Sequence, residues 1–201
     1  MKAHSGRATF DISHTVTGYP WSDIGEGLVV DMGGSIGFAS MAISETNPNL
    51  KFVVQDQEHI ITEEAKAAVP AHLKSRVRLE VHNILNPQHV QADVYFFRWV
   101  FHGFTDRYAL QVLRALIPVL KRGAKVVIND GVIPDPSTVS WMEYRSMRCM
   151  DMLGQAVNNS GERSVDDWNN LFRKADDRFK VLGTWKPPKS AMWFIEAEWQ
   201  P

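Results

Sequence analysis

Cysteine is almost missing from this sequence. Cys149 stands alone among 201 residues, so no intrachain disulfide is available, and a reducing compartment fits. Neither sign of charge dominates: 22 Lys and Arg face 23 Asp and Glu, for a net charge of -1. Without a basic surplus to neutralise phosphates, nucleic acid is a poor candidate for the main partner. Long apolar runs are missing too. The richest stretches, Val94–Phe97 and Lys125–Ile128, fall far short of the roughly 20 residues that span a bilayer. The opening MKAHSGRATFDIS lacks the apolar h-region of a secretory signal. These absences predict a soluble, cytoplasmic protein with no membrane partner. There is also no repeat, low-complexity run or linker to divide the chain.

What is present suits one globular domain with a sizeable core, with 44% apolar and 22% charged residues. Seven Trp and ten Phe are more than an average domain carries. Core packing accounts for most, and a site for flat organic ligands would recruit others. Short β-rich runs alternate with helical patterns, the signature of a parallel sheet covered by helices. Strands are expected at 28–31, 51–56, 76–81, 93–97 and 125–128. Helices are expected near 38–47, 64–68, 106–120, 140–153 and 164–174. The tail at 181–184 and 192–198 reads as an antiparallel pair, because its Pro-Pro loop is too short for a crossover helix. The fold class is therefore α/β, Rossmann-like, mostly parallel with an antiparallel C-terminal hairpin and helices on both faces. A lead-in segment, 1–26, precedes the domain proper at 27–201.

Between the first strand and its helix lies Asp31-Met-Gly33-Gly34-Ser-Ile-Gly37. Glycines there permit positive φ and close approach of a ligand to the backbone, and the helix start presents free N–H groups. Asp56 ends the next strand, where a carboxylate can accept both hydroxyls of a ribose. A tight turn without a ligand, a dinucleotide site and an adenosyl-sulfonium site all use such a turn. Dinucleotide sites space their glycines G-x-G-x-x-G. The order here fits D-x-G-x-x-x-G, which favours the adenosyl reading.

Taken with the rest of the chain from about Gly18 onward, these residues resemble the catalytic domain of the caffeate-type plant and fungal secondary-metabolite O-methyltransferases. These are class I enzymes that use S-adenosylmethionine. The resemblance implies that Gly33 and Gly34 meet the amino-acid end of that cofactor and that Asp56 holds its ribose. Asn83 and Ile84 stand where the family flanks the adenine with an acid–hydrophobe pair, and Arg98, followed by Trp99, matches its basic residue after the fourth strand. His102, in FRWVFHGFTD, matches the catalytic histidine, with Asp130 after the fifth strand and Glu162 in GERS as the supporting carboxylates. No metal site is assigned.

Methyl transfer from a sulfonium is an in-line substitution that requires alignment and proton removal. A phenol has a pKa near 10, so a neutral imidazole in reach is a sensible base. Asp130 and Glu162 would orient His102 and stabilise its imidazolium. Glu162 has a second reading as part of a helix start with Ser164 and Asp167, and Asp130 as a strand-end turn residue. Trp141, Met142, Met147 and Met150 are candidates for lining an acceptor pocket, at a spacing equally suited to a buried helix face.

Two positions depart from the family: Asn83 replaces an acid, and Gly103 follows His102 where relatives have Asp. Relatives also carry an N-terminal dimerisation domain, for which about 27 residues before the first strand are too few, so the implied homodimer would be weakened. The leading expectation is O-methylation of a small phenolic or polyketide-like hydroxyl compound. A methyltransferase-fold pericyclase or isomerase, and a catalytically impaired cofactor-binding fragment, stand as alternatives. A NAD-dependent dehydrogenase is disfavoured by the glycine spacing.

Overall fold

A computed structural model describes residues 8–201. Met1 to Arg7, on which the reading of the N-terminus partly rests, lie outside the described residues. Seven strands form one sheet in the order β3-β2-β1-β4-β5-β9-β8. They are β1 (Leu28–Met32), β2 (Lys51–Asp56), β3 (Val77–Val81), β4 (Val94–Arg98), β5 (Lys125–Asp130), β8 (Phe179–Trp185) and β9 (Trp193–Trp199). The first five pair in parallel. β9 runs antiparallel to β5 and β8 antiparallel to β9, with a bulge between Val181 and Gly183. The α/β fold is the expected one, mostly parallel with an antiparallel C-terminal pair.

Central strands read as continuous apolar runs because both faces are covered. The two-residue period of the strand sends neighbours to opposite cores. Val30, Tyr95 and Phe97 enter one, while Val29, Val94 and Phe96 enter the other. The first core is closed by α4 (Asp106–Leu116) and α6 (Val165–Ala175), through Ala109, Leu113, Trp168 and Phe172. The second is closed by α2 (Phe38–Thr46) through Ala39 and Ile43, together with Tyr19 and Trp21. Those last two come from the lead-in, where α1 (Ser13–Thr17) precedes a short 3-10 turn at Trp21–Ile24. The Trp21 indole donates to the Thr15 carbonyl at 2.9 Å. Fully burying an aromatic side chain contributes about 1.5–3 kcal/mol, so Trp21 anchors this segment to the sheet.

Three boundaries differ from the expected ones for local reasons. The helix expected to reach 120 ends at Leu116 and tightens to a 3-10 turn over Ile117–Val119, because Pro118 has no N–H to continue the ladder. The helix expected over 140–153 is α5 (Trp141–Asn158), which runs on until Asn159 adopts a left-handed conformation (φ 51°). Asn tolerates that conformation better than most residues. A separate pair of two-residue strands, β6 (Val132–Ile133) and β7 (Arg163–Ser164), was not foreseen at all. A short helix, α3 (Glu63–Ala67), completes the set. No helix among the described residues is long and apolar enough to cross a membrane.

Sheet order reverses between β2 and β4, on either side of β1. In open α/β sheets the crevice at the carboxyl ends of such strands is where ligands bind. The glycine turn, Asp56, His102 and Asp130 all sit at or just beyond those carboxyl ends.

Candidate active site

Strand β1 ends in a turn that only certain residues can build. Gly33 has φ +72°, where side chains are strained. A Cβ on Gly34 would lie 2.5 Å from the carboxyl carbon of Asp31. The N–H groups of Gly33 and Gly34 both donate to the Gln55 carbonyl, at 2.8 and 3.2 Å. Ser35, itself at φ 55°, donates its N–H to Asp56 Oδ2 at 2.8 Å. The turn and the acid ending β2 are therefore one bonded unit. Asp56 stays partly exposed, and its Oδ1 accepts the Gln57 N–H at 2.8 Å.

Asp31 lies under this turn, fully buried. Ser40 donates to its Oδ2 at 2.6 Å, while Oδ1 has no partner. Burial pushes its carboxyl up to about 6, against the pull of the Ser40 hydroxyl and Arg98. An orphaned buried acceptor costs about 1–3 kcal/mol, so a ligand donor beside the turn has a group to meet. Together with the glycine cradle and the exposed lone pairs of Asp56, these residues fit an adenosyl amino-acid cofactor.

The remaining cofactor candidates are placed less directly. Asn83 follows β3, and its Oδ1 is already used by the Leu85 N–H at 3.0 Å, which leaves the amide N–H₂ as its outward function. Ile84 packs on the edge of the first core. Arg98 is turned toward the lead-in: it donates to Thr15 Oγ1 at 3.0 Å and to the Phe10 carbonyl at 3.4 Å. Burial lowers its pKa, opposed by Asp31, Asp130 and Asp11. Sequence reasoning passed over His82, which is buried, donates its backbone N–H to the Asp56 carbonyl at 2.9 Å, and has no hydrogen bond to Nε2 among the described residues. It also passed over Thr15, whose hydroxyl donates to Asn129 at 2.9 Å. Neither carries a pattern that a sequence displays.

His102 sits in a 3-10 turn, Phe101–Gly103, between β4 and α4. Its backbone N–H donates to Asp130 Oδ2 at 3.1 Å, and its carbonyl accepts the Ser160 hydroxyl at 2.6 Å. The imidazole makes no hydrogen bond among the described residues. It stands edge-on to Trp99, centroids 5.0 Å apart and planes at 77°. Trp99 is held at φ 57°, a strained conformation of the kind that gathers at functional sites. The expected imidazole–carboxylate pairing is thus replaced by a backbone tie: Asp130 positions the turn and leaves the ring open.

Glu162 reaches Asp130 through β6 and β7. Register Val132↔Arg163 sets the residue before β7 beside the residue before β6, so Glu162 fills the space above Gly131. A Cβ there would lie 2.5 Å from Glu162 Oε2. Burial, then the charges of Asp130 and Asp151, push the Glu162 carboxyl up to about 8, while Arg163 pulls it down. Burial and those two charges favour its neutral, protonated form. The helix start is made by other residues: Ser164 and Asp167 form a reciprocal capping box.

A narrow cleft opens beside Asp130 and Glu162, with His102 outside its lining. Asp130 and Glu162 form its polar end, and Phe10, Trp99, Met147, Met150 and Met192 its apolar walls. Trp141 and Met142, expected as lining candidates, are exposed on the other side of α5, a correction that follows from 3.6 residues per turn. A wider, open hollow between Leu85, Arg107 and Arg114 holds none of the assigned residues.

Comparison with known proteins identifies the family and the fold. An O-methyltransferase domain model matches residues 13–177. A grayanic acid biosynthesis cluster O-methyltransferase of Cladonia grayi is 43% identical over 185 residues, covering 92% of this chain and 41% of the relative. O-methyltransferase kk1A of Curvularia clavata is 40% identical, covering 96% and 45% respectively. The chain thus spans less than half the length of the curated relatives it matches. TnmH shares the fold at a TM-score of 0.85 and 20% identity, covering 99% of this chain and 57% of its own. LepI, solved with S-adenosylhomocysteine and a substrate analogue, has a TM-score of 0.75 at 26% identity, covering 90% and 47%. A structure described as a pericyclic reaction enzyme scores 0.72 at 26% identity, covering 96% and 48%. With that domain model matched over most of its length, the chain belongs to the O-methyltransferase domain family.

Proposed function

We propose that this domain transfers a methyl group from S-adenosylmethionine to a hydroxyl of a small aromatic or polyketide-like compound, with His102 as general base. The observation that carries the reading is the His102 imidazole, without a hydrogen bond among the described residues and fixed through its backbone between Asp130 and Ser160 at the carboxyl edge of the sheet. When bound, the cofactor supplies an electrophilic methyl group on a sulfonium. Gly33 and Gly34 offer backbone to its amino-acid end, Asp56 accepts the ribose hydroxyls, and Asn83 and Ile84 complete the binding side, while Arg98 stays tied to Thr15 and the Phe10 carbonyl. His102 takes the acceptor's proton, and the new positive charge lies near the Asp130 carboxylate. Glu162, its carboxyl pushed toward the neutral form by burial and by the charge of Asp130, is disfavoured from adding a second charge there. Phe10, Trp99, Met147 and Met192 provide apolar, polarizable walls beside Asp130 and Glu162. The fungal biosynthetic relatives support that acceptor class.

Calorimetry with S-adenosylhomocysteine tests the binding half, with micromolar-range affinity expected; no binding at millimolar concentration contradicts it. A mass screen against phenolic acceptors tests the transfer half. A second reading, rearrangement or cyclisation without methyl loss, is favoured by the resemblance to a pericyclic reaction enzyme and by Gly103 in place of an acid. Product mass separates the two, since methylation adds a CH₂ unit and isomerisation adds nothing. Robust turnover by this chain alone excludes an impaired fragment. A homodimer and a cytoplasmic location complete the proposal. The first is supported by the exposed apolar face of α5, including Trp141, Met142, Met152 and Val157, and the second by the lone Cys149.

A further inference from the structure

The turn that carries His102 has little regular structure to hold it. Only two backbone bonds lie within it, Gly103 to Val100 at 3.2 Å and Phe104 to Phe101 at 3.0 Å. Everything else that fixes it comes from residues distant in sequence. Asp130 takes the His102 N–H, and the opposite end of that residue, its carbonyl, is taken by Ser160. The 2.6 Å separation is that of a good O–H···O bond. The other acceptor in range of the same hydroxyl, the Gly154 carbonyl, is at 3.4 Å. A hydroxyl has one proton to give, and distance assigns it to His102.

Ser160 is buried, and it arrives there because Asn159, left-handed after α5, turns the chain sharply. The next residues carry the rest of the clamp. Glu162 donates its N–H to Asp151 at 3.0 Å. The Arg163 guanidinium donates to the carbonyls of Phe101 and Phe104, at 3.0 and 2.8 Å, and to Asp106 at 3.0 and 3.1 Å. The flanks of the His102 turn are thus held by Arg163 and its centre by Ser160. The same five-residue segment that does this also delivers Glu162 to Asp130.

We infer that Ser160 is a positioning residue for His102, whose hydroxyl locks the turn bearing the base to the segment bearing Glu162 so that the two halves of the site are set as one body. The inference rests on the reading of His102 as the base. A displacement of about 1 Å in a reacting group can lower a rate about a hundredfold, and removing the Ser160 hydroxyl frees the residue whose ring must meet the acceptor. A role in packing alone predicts something different: lost stability, with the rate and the turn's protection unchanged once the protein is folded.

The test uses Ser160→Ala and Ser160→Thr in the whole chain, followed by turnover, S-adenosylhomocysteine calorimetry and hydrogen exchange by mass spectrometry. Ser160→Ala is expected to lower kcat about ten- to a hundredfold, with KM and cofactor-product affinity within twofold, and to raise exchange selectively in residues 99–104. Ser160→Thr, which keeps the hydroxyl, restores most of the rate and the protection. Parent-like kcat and exchange in Ser160→Ala overturn the inference. Should Ser160→Ala fail to fold, the parent decides: residues 99–104 and 159–163 exchange together if the clamp exists, and free exchange in 159–163 beside a protected turn overturns it. If His102→Ala retains parental turnover, the base assignment fails, while the exchange experiment still reports on the clamp separately.

Discussion

Asp130 accepts the backbone N–H of His102 at 3.1 Å, and the imidazole has no hydrogen bond among the described residues. The carboxylate holds the backbone of His102 rather than its ring. Its second oxygen accepts the Gly131 N–H at 2.9 Å, so the buried charge is satisfied from two sides.

Asp130→Asn keeps an acceptor for the His102 N–H and removes the charge; Asp130→Ala removes both. An unsatisfied buried N–H costs about 1–3 kcal/mol. Thermal denaturation is therefore expected to show Asp130→Ala less stable than Asp130→Asn by about that amount. Both variants turn over more slowly than the parent. Equal stability of the two would mean that the backbone tie contributes nothing.

Glu162 gives the domain a pH dependence of definite sign. Below its unfolded value of 4.5 the carboxyl is protonated whether the chain is folded or not. Between there and about 8, the unfolded chain has released a proton that the folded chain keeps. The folded state therefore binds more protons, and stability falls as pH rises through that window. Glu162→Gln removes the penalty. It is expected to unfold like the parent near pH 4.5 and to be more stable by about 1–3 kcal/mol at pH 8.5, after allowance for the partial exposure of the group. Denaturant midpoints at the two pH values measure it, and a Gln variant less stable at the higher pH contradicts it.

Two glycines are held clear by carboxylates, and they separate the two halves of the site. A methyl group at Gly34 meets the short, buried side chain of Asp31, and one at Gly131 meets Glu162. Gly34→Ala is expected to weaken S-adenosylhomocysteine binding at least tenfold by calorimetry. Gly131→Ala is expected to leave that affinity within twofold and to lower turnover. The reverse pattern would exchange the roles assigned to the two turns.

The sheet was legible because its strands are apolar on both faces: Val94–Phe97 and Lys125–Ile128 admit few other readings. The glycine turn was legible because positive φ and close approach demand glycine at Gly33 and Gly34. Helix ends were read less well, because a stripe continues past Pro118 in sequence while its backbone ladder cannot. Asp130 and Glu162 could be named from a resemblance, but what joins them is β6 and β7. Two-residue strands have no period to detect. Ser160 left no trace in sequence at all: its role depends on Asn159 turning the chain, and on a carbonyl 58 residues away.

The central claim is methyl transfer based on His102. The most direct measurement is the mass of the product formed from S-adenosylmethionine and a phenolic acceptor, by the parent and by His102→Ala, at saturating cofactor. The parent is expected to add one CH₂ unit. His102→Ala is expected to bind S-adenosylhomocysteine within twofold of the parent and to transfer methyl at least a hundredfold more slowly, the upper contribution of a positioned base being about 10⁴. Equal rates from the two proteins, or a product of unchanged mass from the parent, would contradict the account.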